Sequence, residues 1–368
     1  MKFITDSKDL KGAVLSVIKA VPVRTTMNIL EGIFVDADNG RVRLKCSDLM
    51  LEKECFLSAS VEEDGKAIIP AKLFSEIVRR LPDDGSVTVT VDGKVMEIKC
   101  GSIKMNLQTI DYEEFPEMRF TGESYTLKID REECKTLFLQ TVFAAAQDDT
   151  KPILTGVLLE LGENITAVAT DAYQFAMRRF PLSEPTPEKK TVIPAKSLTE
   201  IAHVMDETES ETVELTFTRT HVKIDLDHTC VVARLLDGEY INYRQLIPKE
   251  YKTRALINRD ELMRAIDRAQ LMAREGNNNI VLQFSSNSLS VNANSFVGKV
   301  HEEIGAQVIG EDIEIAFNPK YCMNVLKNIP DETVYFDMVS GISPCVVRPV
   351  QGDNYYYLIV PVRIYSQY

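Results

Sequence analysis

A chain of 368 residues that is 45% hydrophobic and 26% charged, with a mean hydropathy of −0.10, reads as a soluble globular protein, and no apolar run is long enough to span a bilayer. The 55 acidic residues outnumber the 42 basic ones for a net charge of −13, which speaks against the overall basic balance that usually marks a nucleic-acid binder. The seven cysteines are odd in number and have no close pairing, the pattern of reduced thiols in a cytosolic protein rather than of a disulfide framework.

The segment Met1-Lys2-Phe3-Ile4-Thr5-Asp6 lacks the apolar run of a signal peptide. The first predicted helix runs from about Ser7 to Val21, with Leu10, Val14, Val17, Ile18 and Val21 on its apolar face and Lys8, Lys11 and Lys19 on the other side. A second helix starts at Ile69-Pro70-Ala71-Lys72, where the missing proline N–H costs nothing. Phe74, Ile77, Val78 and Leu81 form its apolar stripe, and Lys72, Glu76 and Arg79 its outer face. The turn Leu81-Pro82-Asp83-Asp84-Gly85 leads into a strand pattern at Val87, Val89 and Val91.

The series then begins again. A helix opens at Asp130, with Arg131 and Lys135 early in it, and Leu154-Thr155-Gly156-Val157 matches Leu30-Glu31-Gly32-Ile33 at an interval of 124 residues. Ala169-Thr170-Asp171 matches Cys46-Ser47-Asp48 one residue short of that interval. Ile193-Pro194-Ala195-Lys196 restarts the second helix, with Leu198, Ile201, Ala202 and Met205 inside and Lys196, Glu200 and His203 outside. In the third pass a helix opens at the acceptable N-cap Asn258 and carries Arg264 and Arg268. Asn279-Ile280-Val281-Leu282 leads into Leu289-Ser290-Val291-Asn292-Ala293, and Phe317-Asn318-Pro319-Lys320 starts the last helix, with Cys322, Val325, Leu326 and Ile329 inside and Asn324 and Lys327 outside. Lys72, Lys196 and Lys320 stand at one interval of 124 residues.

The chain is therefore three copies of one unit, expected at 1–121, 122–250 and 251–368. Each copy reads as α+β, two helices covering one face of antiparallel sheet. No phosphate-binding loop, dinucleotide fingerprint, His-Glu-x-x-His helix, Cys-x-x-Cys pair or Gly-x-Ser-x-Gly elbow is present, so no catalytic residue, metal or cofactor is expected. Acidic residues gather in turns and connectors, at Glu62-Glu63-Asp64, Asp83-Asp84, Asp111-Tyr112-Glu113-Glu114 and Asp206-Glu207, whereas basic residues recur in register on the helices. A repeated basic face on an acidic body suits a sequence-blind grip on phosphates, with Lys72, Arg79, Lys196 and Lys320 as the candidates. Two other readings are a repeat scaffold that binds only proteins, and an enzyme using Asp171 and Tyr173, or Asp48, as acid–base groups.

With the repeat and the Ile-Pro-Ala-Lys helix starts, the segments Thr170-Asp171-Ala172-Tyr173 and Tyr357-Leu358-Ile359-Val360-Pro361-Val362-Arg363 make the chain resemble, over essentially its whole length, the β sliding clamps of bacterial replicative polymerase, the DNA polymerase III β subunits. The resemblance implies the ring-forming DNA-clamp fold, a head-to-tail homodimer whose six domains encircle double-stranded DNA without sequence preference. It implies a processivity factor with no catalytic activity, in the cytoplasm and away from membranes. The implied partners are the DNA polymerase III catalytic subunit, the clamp loader and other proteins bearing clamp-binding motifs. Arg24 occupies a position that touches DNA in similar clamps, and Gln147 and Lys151 lie on a loop that faces the hole. A cleft for partner peptides between domains two and three is implied at Leu154, Thr170, Ala172, Tyr173, Gln174 and Phe175. The same cleft is implied at Ile241, Gln245, Leu246, Pro344, Leu358, Val360, Pro361, Val362 and Arg363. At the dimer interface Leu271 and Met272 are expected to face Phe74, Ile77, Met105 and Leu107 of a second copy, as exposed apolar residues on such a chain do.

Overall fold

A strand, a helix, a run of hairpins, a second helix and three more strands recur three times along the computed structural model, which describes residues 1–111, 114–148, 150–248 and 250–363. Tyr112 and Glu113 of the acidic 111–114 connector lie outside these residues. In the first repeat the strand Lys2–Asp6 feeds helix α1 (Ser7–Val17), and the Asp6 carboxylate caps it by accepting the amides of Lys8 and Asp9. The helix is shorter than its apolar pattern predicts. It tightens to a 3-10 turn at Ile18–Ala20 and stops at Val21, which is extended because the ring of Pro22 clashes with a helical residue before it.

Helix α2 (Ala71–Arg79) follows Pro70. Helices α3 (Arg131–Val142) and α4 (Ala195–Val204) repeat the pair, as do α5 (Arg259–Arg274) and α6 (Pro319–Lys327). Asn258 and Asn318 cap α5 and α6 by accepting the amides of Glu261 and Lys320. The apolar stripes point inward as the spacing predicts: Phe74, Val78, Leu198, Ile201, Ala202, Met205, Cys322, Val325, Leu326 and Ile329 are all buried.

The strands of the described residues form three antiparallel sheets. One holds Ser60–Glu63, Lys2–Asp6, Ser86–Asp92, Val95–Cys100 and Ile103–Gln108 in that order. The second has eight strands and joins the first repeat to the second, because Leu51–Ser58 pairs with Thr229–Arg234, Glu52 opposite Val232. The third has twelve and joins the second repeat to the third, because Gln174–Pro181 pairs with Tyr355–Ile359, Phe175 opposite Leu358. The chain accordingly divides into two compact units that share the middle repeat, one of Met1–Arg131 with Glu200–Leu235, the other of Glu132–Thr199 with Leu236 onward.

Within the first unit, Lys45 is buried and bonded to Glu54 at 2.9 Å and Glu117 at 3.1 Å. Burial works against its charge, but these carboxylates and Glu52 outweigh it, so its pKa stands above the ordinary lysine value. Phe74 and Leu107 are only 1% and 4% exposed. Both pack in the core of the single chain, whereas the expectation placed them at an interface between copies. All seven cysteines are buried and free; burial pushes the Cys230 thiol up to about 12. No helix among the described residues is long and apolar enough to cross a membrane.

Gly32 and Gly156, the repeated glycines, each open a strand where the next strand approaches closely. A Cβ on Gly32 would meet Ile68 Cγ2 at 2.2 Å, and one on Gly156 would meet Val192 Cγ1 at 2.6 Å and Leu236 Cδ1 at 2.7 Å. Gly32→Ala is expected to cost about 1–3 kcal/mol through overpacking, read as a lower melting temperature by calorimetry.

Candidate functional site

The second unit carries an apolar groove of about 200 Å³. Its floor belongs to a core cluster that includes Leu158, Phe175, Tyr243, Val346 and Leu358. One edge is the turn after the strand Asn164–Thr170. There the Asp171 carboxylate accepts the amides of Tyr173 (2.9 Å) and Gln174 (2.8 Å), and Thr170 Oγ1 accepts that of Ala172 (3.1 Å). These bonds hold Ala172 at φ +75°, a left-handed conformation uncommon for a residue with a side chain. The opposite wall is the segment around the 3-10 turn Tyr243–Gln245, which supplies Ile241 and Leu246. Pro344, Leu358 and Val360 come from the third repeat, and the Val360 amide donates to Tyr173 O at 2.9 Å. Lining that is apolar apart from a few placed polar groups, here Thr170, Gln174 and Lys151, is how short peptides are held.

The groove thus brings together ten of the residues expected in a cleft: Leu154, Thr170, Ala172, Gln174, Phe175, Ile241, Leu246, Pro344, Leu358 and Val360. Five others fall outside its lining. Tyr173, 60% exposed, stacks on Tyr321 with centroids 5.8 Å apart and stands at the rim. Gln245 is exposed and not part of the lining. Pro361, Val362 and Arg363 lead away, since proline has no amide for the ladder and the Val362 amide donates instead to Ala316 O. Lys151, expected to face DNA, lines the groove. Asp48 and Asp171 spend their carboxylates on turn amides, the simple reading of both.

Sequence reasoning missed Tyr243 and Glu160. The Tyr243 ring stacks on Phe175 at 5.8 Å and its hydroxyl donates to Glu160 Oε2 at 2.7 Å. Burial pushes the Glu160 carboxyl up, and hydrogen bonds from Arg244, Lys190 and Tyr243 more than offset it, leaving its pKa below the ordinary value.

A turn of the same length closes the equivalent hairpin in each repeat, between Ser47 and Glu52, Thr170 and Phe175, and Asn294 and Lys299. Leu49, Ala172 and Phe296 are then equivalents, and Leu49 also sits at positive φ, +69°. Only the middle copy has a small side chain there. Phe296 is 87% exposed, with Val297 beside it and Leu271 (56%) also exposed in the same unit. Met272 lies next to Gly298 at the foot of that turn. Phe296 and Val297 are therefore apolar surface that the helix-based reading did not find. In the first unit Met105 is exposed and Ile77 half-buried.

Arg24, Lys72, Arg79, Gln147, Lys196 and Lys320 are exposed. Arg79 pairs with Glu76 on its own helix at 3.3 Å, Lys11 pairs with Asp83, and Arg268 pairs with Glu302, so part of the basic face is neutralised locally. Arg24, Lys72 and Lys320 have no ion pair among the described residues. No three His, Cys, Asp or Glu side chains among the described residues gather as metal ligands.

Three family models match the chain in succession: the N-terminal domain of DNA polymerase III beta subunit over residues 1–119, its central domain over 128–242 and its C-terminal domain over 244–363. The chain is 34% identical to the beta sliding clamp of Bacillus subtilis over 380 residues, covering 99% of this chain and 100% of that one. The crystal structure of the DNA polymerase sliding clamp from Bacillus subtilis superposes with a TM-score of 0.91 at 34% identity, over 99% of this chain and 100% of that one. A Pseudomonas aeruginosa sliding clamp bound to griselimycin superposes with a TM-score of 0.89 at 25% identity and the same coverage, 99% and 100%.

Because Leu49 tolerates φ +69° at the equivalent turn, Ala172→Leu is expected to fold with its melting temperature nearly unchanged while filling the groove. Loss of fluorescence anisotropy from a fluorescein-labelled peptide of alternating leucine and serine ending in phenylalanine would record the closure.

Proposed function

Because the chain belongs to the DNA polymerase III beta subunit family, we propose that two copies close head to tail around duplex DNA and hold partner proteins by short apolar peptides in the groove at Ala172. The chain is a sliding clamp, a processivity factor and not itself a catalyst. Family membership implies DNA and a polymerase as partners.

One observation carries the ring. Twice within the chain, the hairpin strand of one repeat pairs with the last strand of the next, Glu52 opposite Val232 and Phe175 opposite Leu358. Among the described residues, two strands of these types lack that pairing: Ile103–Gln108, bonded only to Val95–Cys100, and the Lys299–Gly305 half of Lys299–Gly310, bonded only to Ser288–Asn294. Open edges of this kind are templates for another chain. Counting along the ladders makes Lys299 the equivalent of Glu52 and Phe175, and Asn106 the equivalent of Val232 and Leu358. A second copy then sets Lys299 opposite Asn106, Val300 opposite Met105 and His301 opposite Lys104, with Glu303 diagonal to Lys104 as a charge complement. Phe296, Val297, Leu271 and Met272 gain a covering surface beside this ladder, and Ile77 and Met105 contribute to it. Such a contact is heterologous, and it closes when the rotation between copies allows.

In this reading the domains are 1–121, 122–250 and 251–368, their limits falling between the last strand of one repeat and the first of the next. Lys72, Lys196, Lys320, Arg24, Arg79 and Gln147 face the DNA backbone loosely, and enclosure rather than affinity retains the duplex. The clamp loader, the polymerase III catalytic subunit and other motif-bearing proteins share the groove, in the cytoplasm and without a cofactor.

Antiparallel partners lie about 4.5–5.5 Å apart at Cα, within disulfide reach. Met105→Cys with Val300→Cys is therefore expected to give an oxidised covalent dimer on a denaturing gel, and each single variant none, since the native thiols are buried. The cross-linked ring is expected to stay on circular DNA and to be lost once the circle is cut; a monomer that is never retained would sink the proposal. Changing Lys72, Lys196 and Lys320 together to alanine is expected to flatten the slope of log binding against log salt by about 3 per chain.

A further inference from the structure

The wall of the groove that carries Ile241 and Leu246 belongs to no sheet. Its backbone bonds are local, from the amides of Tyr243 to Ile241 O and of Leu246 to Tyr243 O. Side chains have to fix it, and one carboxylate gathers them. Glu160 stands on the strand Gly156–Leu161 and is buried. Its Oε2 accepts Tyr243 Oη at 2.7 Å and Arg244 Nη2 at 2.6 Å; its Oε1 accepts Arg244 Nη1 at 3.2 Å and Lys190 Nζ at 2.9 Å. A carboxylate has about four acceptor positions, so this one is filled. The Arg244 guanidinium also lies over the Tyr243 ring at 4.8 Å, and that ring packs on Phe175 of the floor. Two adjacent residues of the wall are thus clamped to one point on the sheet, one by a charged fork and one by a hydroxyl and a ring stack.

Glu160 does not line the groove. Together with Lys190 and Arg244 it borders a separate polar hollow of about 690 Å³. We propose that Glu160 is a positioning residue for partner binding, which through Tyr243 and Arg244 holds Ile241 and Leu246 at the spacing an apolar peptide requires. Glutamine in its place keeps the volume but turns an amide toward the two cations, which opens the fork. The wall then samples other positions, and the peptide has to restore it at the expense of affinity. The inference rests on the groove being the partner site.

The test is a double-mutant cycle on the full chain with the labelled leucine–serine–phenylalanine peptide, read by anisotropy, alongside melting temperatures. Glu160→Gln is expected to weaken binding roughly tenfold in the otherwise unchanged chain and to have little further effect once Leu246→Ala has removed the wall contact, because coupled sites are not additive. In a Tyr173→Ala background, at the rim rather than the wall, the loss is expected to add in full. Tyr243→Phe keeps the stack and removes only the hydroxyl, so it reports on the same anchor if the glutamine variant fails to fold. Wild-type affinity in both the Glu160→Gln and Tyr243→Phe chains, or an equal Glu160→Gln loss with and without Leu246, would overturn the assignment. Failure of the unaltered chain to bind the peptide would remove the groove reading itself and the inference with it, a result distinct from the first two.

Discussion

Everything in this molecule follows from an unfinished sheet edge. Each repeat ends in a strand whose outer side has no partner within the repeat, and each presents a hairpin strand with the same defect. Unpaired backbone groups at an edge recruit other strands, so one repeat completes the next: Leu51–Ser58 takes Thr229–Arg234, and Gln174–Pro181 takes Tyr355–Ile359. The ladders are antiparallel and keep the same register in both places. The compact units therefore follow the shared sheets and divide the middle repeat between them. Among the described residues, three copies make two such joints and leave one edge of each kind over, and the proposed ring is the arrangement that leaves none.

Identical joints would give identical surfaces, and the groove exists because the copies differ. The equivalent hairpin turns carry three different side chains, Leu49, Ala172 and Phe296, and the first two share a left-handed backbone. A methyl group leaves room for a guest in the middle copy. In the first copy the equivalent of Val360 is Arg234, whose amide still donates to Met50 O as that of Val360 donates to Tyr173 O. The backbone bond is kept while the side chain turns from apolar to charged. The third copy exposes Phe296 instead, at the edge proposed to receive a second chain.

Charge is managed in the same local way. The net charge of −13 hides a division of labour, with acidic connectors set apart from lysines and arginines on the helices. Several of those cations are satisfied on the spot, Arg79 by Glu76 and Arg268 by Glu302, which keeps the basic face weak. Weak contact is compatible with sliding when enclosure supplies retention. Inside the first unit Lys45 and Lys53 are buried among carboxylates, and burial holds the Lys53 pKa down against the pull of Glu207 and Glu200. No alternation pattern anticipates a lysine in the core.

Local features were legible from the amino acids alone. The interval of 124 residues, the apolar stripes of α2, α4 and α6 and the cap at Asn258 are each decided within a few residues by helical period or donor count. Most of the groove lining was legible as well, through a resemblance carried by two short segments. Contacts between distant positions were not. Glu160 and Tyr243 are separated by 83 residues, and nothing in either neighbourhood marks them as partners. Phe74 and Leu107 have the composition of an interface and the burial of a core, a distinction only packing can make. Periodicity states which way a side chain faces within its own element, whereas the neighbours it meets there are set by strand pairings between segments far apart in the chain.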